Sequence, residues 1–402
     1  MMSKYVRYGV FGLLFLFLYT TSVIAHPGFA RKYRMSCTTC HNPAPRLKPF
    51  GDDYAANGFV MQGQEPSRYH IDTGDDLLLL QALPPIGFRL DAYAQYSYDA
   101  KTDESINDLQ TPYILKILSG GRATENMSYY FYFFMSERGE IAGVEDAFLY
   151  WRTLCGVPVN LTVGQFQMSD PMFKRELRLE IEDYQIYTTQ VGDVPTTLTY
   201  DRGIILGYGM PWGTDVTFSV VNGNGIGPAV GHRFDYDNYK NLFFRASHGF
   251  DESFRIGGFA YYGKAADPSG ATDKDDTMLM AGPDATIDVG KFQLNLQYLW
   301  RTDDNPMYTL TAPKDPVLTQ GGFAEVIYAP NSDRSRWYLI GLYNYRTSDI
   351  TDIAPGSAGL EYQSAGLTWT YLLARNLRFV SEYNYNFELE THRLTLGFFS
   401  AF

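Results

Sequence analysis

Apart from the nine-residue stretch Val10 to Leu18, no long apolar run occurs, and nothing approaches the about 18 consecutive apolar residues of a membrane-crossing helix. A helical anchor is therefore not the organising element. Positive charge is also scarce. Lys and Arg number 33 against 45 Asp and Glu, a formal net charge of −12. That balance argues against a nucleic-acid partner, which calls for a basic patch. Cysteine is limited to Cys37, Cys40 and Cys155. The last sits in the tight turn Leu154-Cys155-Gly156 and reads as a free structural thiol. No second Cys or His pair accompanies the first two, since His70 stands alone, and this removes the structural-zinc reading.

Aromatic residues, by contrast, are abundant, at 16% with 32 Tyr and 27 Phe, while mean hydropathy stays slightly polar. An apolar exterior with aromatic girdles around a polar interior, as in a transmembrane β-barrel, reconciles the two. Residues 1–25 read as a secretory signal peptide. Lys4 and Arg7 give the positive n-region, and Val23-Ile24-Ala25 is a small-residue exit before His26. Loss of Lys4 and Arg7 takes the net −12 to −14.

From about residue 86 the chain alternates in polarity. In Phe292 to Trp300 one face is Phe292, Leu294, Leu296, Tyr298 and Trp300, and the other is Gln293, Asn295, Gln297 and Leu299. Leu377, Phe379, Tyr383, Tyr385 and Phe387 alternate likewise with Arg378, Glu382, Asn384 and Asn386. Period-two runs of this kind are transmembrane strands. About 16 of them lie between 86–98 and 391–402, the second at 111–119, in keeping with the even strand numbers of bacterial barrels. Short turns such as Gly290-Lys291 alternate with long polar loops at 99–110, 168–201, 222–239, 264–276, 302–318 and 347–358. Short turns face the periplasm in such barrels, which puts both barrel ends and everything N-terminal to them on that side. The predicted architecture is all-β, an outer-membrane barrel of about 16 strands over residues 86–402, with a linker at 73–85 and a small N-terminal segment at 26–72.

That segment carries Cys37-Thr38-Thr39-Cys40-His41, the C-x-x-C-H pattern of c-type haem attachment. Cys37 and Cys40 would hold one haem covalently, and His41 would be the proximal ligand. For the distal position Met61 follows a short helix ending at Gly58, and a thioether there favours a relatively high potential. His70 is the alternative, and His26 a remote third. Phe50, Tyr54 and Phe59 are expected to pack on the porphyrin, with Arg31, Lys32 and Arg34 beside the propionates. A 16-stranded barrel leaves a channel that such a segment could enter. The outward loops hold Asp99, Asp103, Glu104 and Asp108, then Asp273, Asp275 and Asp276, then Asp303 and Asp304. Acidic loops raise the local concentration of cations.

Phe29-Ala30-Arg31-Lys32-Tyr33, the C-x-x-C-H run with Met35-Ser36 before it, Pro45-Arg46-Leu47, Phe50-Gly51 and Asn57-Gly58-Phe59 together resemble the fused monohaem cytochrome–porins of iron-oxidising bacteria. That family includes the outer-membrane Fe(II) oxidases. Leu161 to Phe166 is similar to the phosphate-selective porin type, and the terminal Phe402 to the signal common in bacterial barrels. The resemblance implies a c-type haem on Cys37, Cys40 and His41. It also implies electron flow from extracellular dissolved Fe(II) to a periplasmic cytochrome c across outer-membrane lipid. Two alternatives stand beside it: a porin for small solutes with a haem plug or redox gate, and outward electron delivery to an extracellular acceptor.

Overall fold

The computed structural model describes residues 28–61, 63–65, 69–75, 77–154, 156–251, 253–311 and 313–402. The leader, His26 and Cys155 lie outside these. Three short helices come first: α1 (Gly28–Tyr33), α2 (Cys37–Cys40) and α3 (Pro49–Ala56). A small antiparallel pairing, His70↔Gln81 and Ile71↔Leu80, follows. The proposed boundary at 72 thus falls within a hairpin rather than ahead of a linker.

The rest is a closed antiparallel barrel of 16 strands. They are β1 (Ile86–Asp99), β2 (Glu104–Arg122), β3 (Met127–Glu137), β4 (Gly143–Trp151), β5 (Asn160–Gln167), β6 (Tyr200–Gly209), β7 (Thr214–Val221) and β8 (Asn241–Gly249). Then come β9 (Phe254–Ala266), β10 (Asp275–Val289), β11 (Phe292–Asp303), β12 (Val317–Tyr328), β13 (Trp337–Ser348), β14 (Tyr362–Ala374), β15 (Leu377–Asn386) and β16 (Thr391–Ala401). The seam joins β16 to β1 from Thr391↔Asp99 to Ala401↔Arg89, and beyond it Phe88 and Phe402 exchange backbone bonds of 2.6 and 2.9 Å. Closure leaves no unpaired edge.

The expected alternation holds along the strands. Leu394, Leu396 and Phe398 face outward, while Arg378, Glu382 and Asn384 are buried inside. An apolar exterior is the arrangement a bilayer stabilises. Among the described residues no helix is long and apolar enough to cross a membrane.

Three expectations are corrected. The stretch 99–110 is not a loop, because Glu104 to Gln110 extends β2 and pairs with Tyr93 to Asp99. These residues stand mostly exposed, so neither face is selected for apolarity and no alternation marks them. Asp276 and Asp303 are not on outward loops either. Both are fully buried, Asp303 held by Arg301 at 2.7 Å and Asp276 by the Asn305 N–H at 2.7 Å. Finally, the lumen is not an open channel along much of its wall. Residues 168–199, expected as an outward loop, fold inward. Met172, Tyr184, Ile186, Tyr187, Val194 and Leu198 pack against inward Phe243, Phe259, Tyr261, Met280 and Phe323. Tyr184 stacks on Phe323 at 4.0 Å and its hydroxyl donates to Glu325 at 2.7 Å. Burying those rings on both sides outweighs leaving them wet.

Candidate functional site

The site is assembled from α2 outward. Ser36 caps the helix by accepting from the Thr38 N–H at 3.3 Å. Cys37 and Cys40 are three apart, one above the other on a single helical turn, and both thiols face the same cavity. Burial pushes both thiols up from their ordinary value. His41 leaves the helix in extended conformation, its N–H bonded to the Cys37 carbonyl at 2.9 Å. Its Nδ1 lies 3.0 Å from the Pro45 carbonyl and 3.3 Å from that of Arg46. Carbonyl oxygens only accept, so Nδ1 carries the proton and the Nε2 lone pair is left for a metal. Burial, partly opposed by these two carbonyls, pushes the His41 pKa down and keeps the ring neutral.

The next helix fixes this geometry. The Lys48 N–H bonds the Cys40 carbonyl at 2.8 Å as α3 begins. A Cβ at Gly51 would come within 2.3 Å of that same oxygen, so glycine sets how closely α3 approaches.

The helices are seated in the short-turn mouth of the barrel. Phe59 stacks between Phe29, at 5.2 Å, and Tyr130 of β3, at 4.4 Å. The Tyr150 hydroxyl of β4 donates to the Ala56 carbonyl. Across the mouth, Arg46 donates to Gln293 at 2.5 Å, and Lys48 pairs with Asp333 at 2.6 Å. Gly58, at φ +68°, lies so close to Ser128 and Tyr150 that a Cβ would fall 2.0 Å from the serine oxygen.

Between helices and barrel wall is a cavity of about 460 Å³. Cys37, Cys40 and His41 form one side, with Tyr130, Phe148 and Phe399 among the barrel residues opposite. Arg89, Lys116, Lys174 and Arg375 also reach it. The volume is in the range of cofactor pockets. Two thiols, an oriented imidazole, an aromatic lining and peripheral cations fit a c-type haem with its two propionates.

The other sequence-selected residues divide. Tyr54 and Phe59 line the cavity, whereas Phe50 does not. Arg31, Lys32 and Arg34 are not on it; Lys32 is buried against Glu65 at 2.8 Å and Arg31 bonds the Ile86 carbonyl at 3.4 Å. Neither Met61 nor His70 lines it. Met61 is tied through its N–H to the Tyr33 hydroxyl at 3.0 Å, and His70 Nε2 sits 3.4 Å from Glu65 Oε2. Met35 lines it as well. The barrel's own contributions, Tyr130 and Tyr150 above all, carry no motif. Only their place on the inward face distinguishes them.

A pH dependence follows from His41. A buried imidazole with a depressed pKa resists protonation, so its contribution to docking is present above the ordinary value near 6.5 and is lost as pH falls. In a haem-free chain, trypsin cleavage at Arg46, expressed at each pH relative to an unfolded peptide of the same sequence, should be slow at pH 7.5 and accelerate as pH drops below about 6.5. A rate that is flat down to pH 5 would remove His41 from the docking energetics.

No protein-family model matches the chain, and no curated protein sequence does. Solved structures do. The outer-membrane channel DcaP of Acinetobacter baumannii is 12% identical over 79% of this chain and 96% of that one, with a TM-score of 0.56. An anion-selective porin from Comamonas acidovorans is 9% identical over 79% and 98%, with a TM-score of 0.55. Salmonella typhi OmpF, in a complex with daunomycin, is 12% identical over 79% and 97%, with a TM-score of 0.54. At these identities the likeness is one of fold: this chain has the porin-like barrel of outer-membrane channels.

Proposed function

We propose that this chain sits in a bacterial outer membrane, short turns toward the periplasm, and takes electrons from extracellular dissolved Fe(II) to a periplasmic cytochrome c through one c-type haem. The observation that carries this reading is the cavity, which joins the C-x-x-C-H motif to the barrel interior. It extends from Phe402, at the short-turn end, to Asp146, three residues inside the long-loop end of β4. A single redox group held there does not have to bridge the whole membrane height from the rim.

Cys37 and Cys40 would form the thioether links and His41 Nε2 the proximal bond. The haem supplies a one-electron couple when bound. Lys174 and Arg375, which line the cavity and join no ion pair among the described residues, would balance the propionates, and the surrounding rings exclude water, which tunes potential. Met61 and His70 would need to move to become distal ligands, whereas Met35 already faces the cavity.

The porin-like fold and its channel neighbours favour a second reading, a solute porin with a haem plug or redox gate. The test is a visible spectrum of the detergent-purified, oxidised protein mixed anaerobically with Fe(II) near neutral pH. Prompt growth of the reduced c-type α-band is expected. A haem reduced by dithionite yet untouched by Fe(II) would sink the electron-transfer reading and leave the porin one.

A further inference from the structure

Strands β3 and β4 are out of simple register at one point. Phe131 pairs with Ala147 and Phe133 with Val144, so Glu145 and Asp146 together stand opposite Tyr132. Regular alternation would aim one of two consecutive carboxylates at lipid. The β-bulge turns both inward, leaving them 8% and 6% exposed. Bulges of this kind re-aim side chains beside functional sites.

Asp146 faces the cavity that holds Cys37, Cys40 and His41, as does Asp170. Its Oδ1 is buried with no hydrogen-bond partner among the described residues. A buried carboxylate oxygen left without a donor calls for an occupant. Glu145 accepts from the Tyr132 hydroxyl at 3.1 Å. The neighbouring cations are already committed, Lys116 to Glu176 at 2.7 Å and Arg89 to Asp91 at 2.7 Å. Neither Glu145 nor Asp146 belongs to an ion pair among the described residues.

We propose that Glu145 and Asp146 form a binding site for a divalent transition-metal cation, which, resting on the reading above, is where the Fe(II) donor is held. Carboxylate oxygens suit Mn²⁺ and, with water, Fe²⁺. Among the described residues no group of three or more His, Cys, Asp or Glu is assembled to hold a metal. Water therefore completes the shell, as suits a cation that arrives and leaves rather than one that stays. The position also suits a donor. β4 begins at Gly143, so Asp146 lies about 10 Å along the strand from the long-loop turn.

The test uses the haem-loaded, full chain in detergent and Mn²⁺ alone, a redox-inert probe followed by loss of its free EPR signal. Wild type should bind one Mn²⁺ per chain. Asp146→Asn and Glu145→Gln should each weaken binding by about tenfold or more, with the haem spectrum and heat-modifiable gel migration unchanged. The exposed control Asp273→Asn should bind as wild type does. Absence of Mn²⁺ binding in wild type, or equal binding in D146N, would overturn the site. Fe(II) reduction of the haem in D146N at the wild-type rate would also overturn it while leaving the electron-transfer reading intact. Failure of Fe(II) to reduce wild type would end that reading, and the Mn²⁺ titration would still decide the site.

Discussion

Serine at both Cys37 and Cys40 is expected to yield a folded barrel with no covalent haem at all. A hydroxyl does not form the thioether that a thiolate forms, so the loss is complete rather than graded. The barrel should survive because its 16 strands pair with one another and close through β16 and β1, without backbone pairing from α2. Peroxidase staining of a denaturing gel reads the attached haem, and heat-modifiable migration of the same sample reads the barrel. His41→Ala should differ in kind. It keeps both thiols but removes the nitrogen that the Pro45 carbonyl orients, so Fe(II)-dependent reduction is lost while the barrel persists. Haem stain remaining in the double-serine chain would mean that the motif is not the attachment point.

The second large effect concerns permeability. With residues 168–199 folded inward and α1 to α3 seated in the opposite mouth, the intact protein should conduct ions far below an open barrel of this strand number. Replacing residues 172–197 by a short Gly-Ser linker removes Tyr184, Ile186, Tyr187 and Val194 from the lumen. With residues 28–82 deleted as well, so that neither mouth is obstructed, single-channel conductance in a planar bilayer should rise by roughly tenfold or more, toward that of water-filled porins. Inward Phe243, Phe259 and Met280 lose their cover in that variant, so its thermal stability should fall as well. Wild-type conductance as high as that of the shortened chain would show that the inward segment does not obstruct, and would favour the solute-porin reading.

What was legible in the sequence depended on whether two faces of a strand meet different surroundings. β11 was read from the alternation of Phe292 to Trp300 and runs Phe292–Asp303, because lipid on one side and a polar interior on the other impose period two. Where both faces meet the same medium the signal vanishes. Glu104 to Gln110 is wet on both faces and read as a loop. β3 fails in the opposite way. Tyr129, Phe131 and Phe133 alternate with Tyr130, Tyr132 and Phe134, so an all-aromatic strand hides which rings face the cavity. The inward course of 168–199 had no period to reveal it, since its apolar residues pack from an irregular backbone. In the candidate site, the grouping of Cys37, Cys40 and His41 was readable from their spacing, and all three line one cavity. The choice between Met61 and His70 was not readable, because it turns on which of them faces a cavity that distant strands complete.

The seam between β16 and β1 gives that last point a temporal side. Phe88 and Phe402, which exchange backbone bonds where the barrel closes, are both walls of the cavity. On the proposed electron-transfer reading, a chain whose β16–β1 seam is still open carries its C-x-x-C-H motif without the chamber around it, and redox competence waits on closure of the barrel.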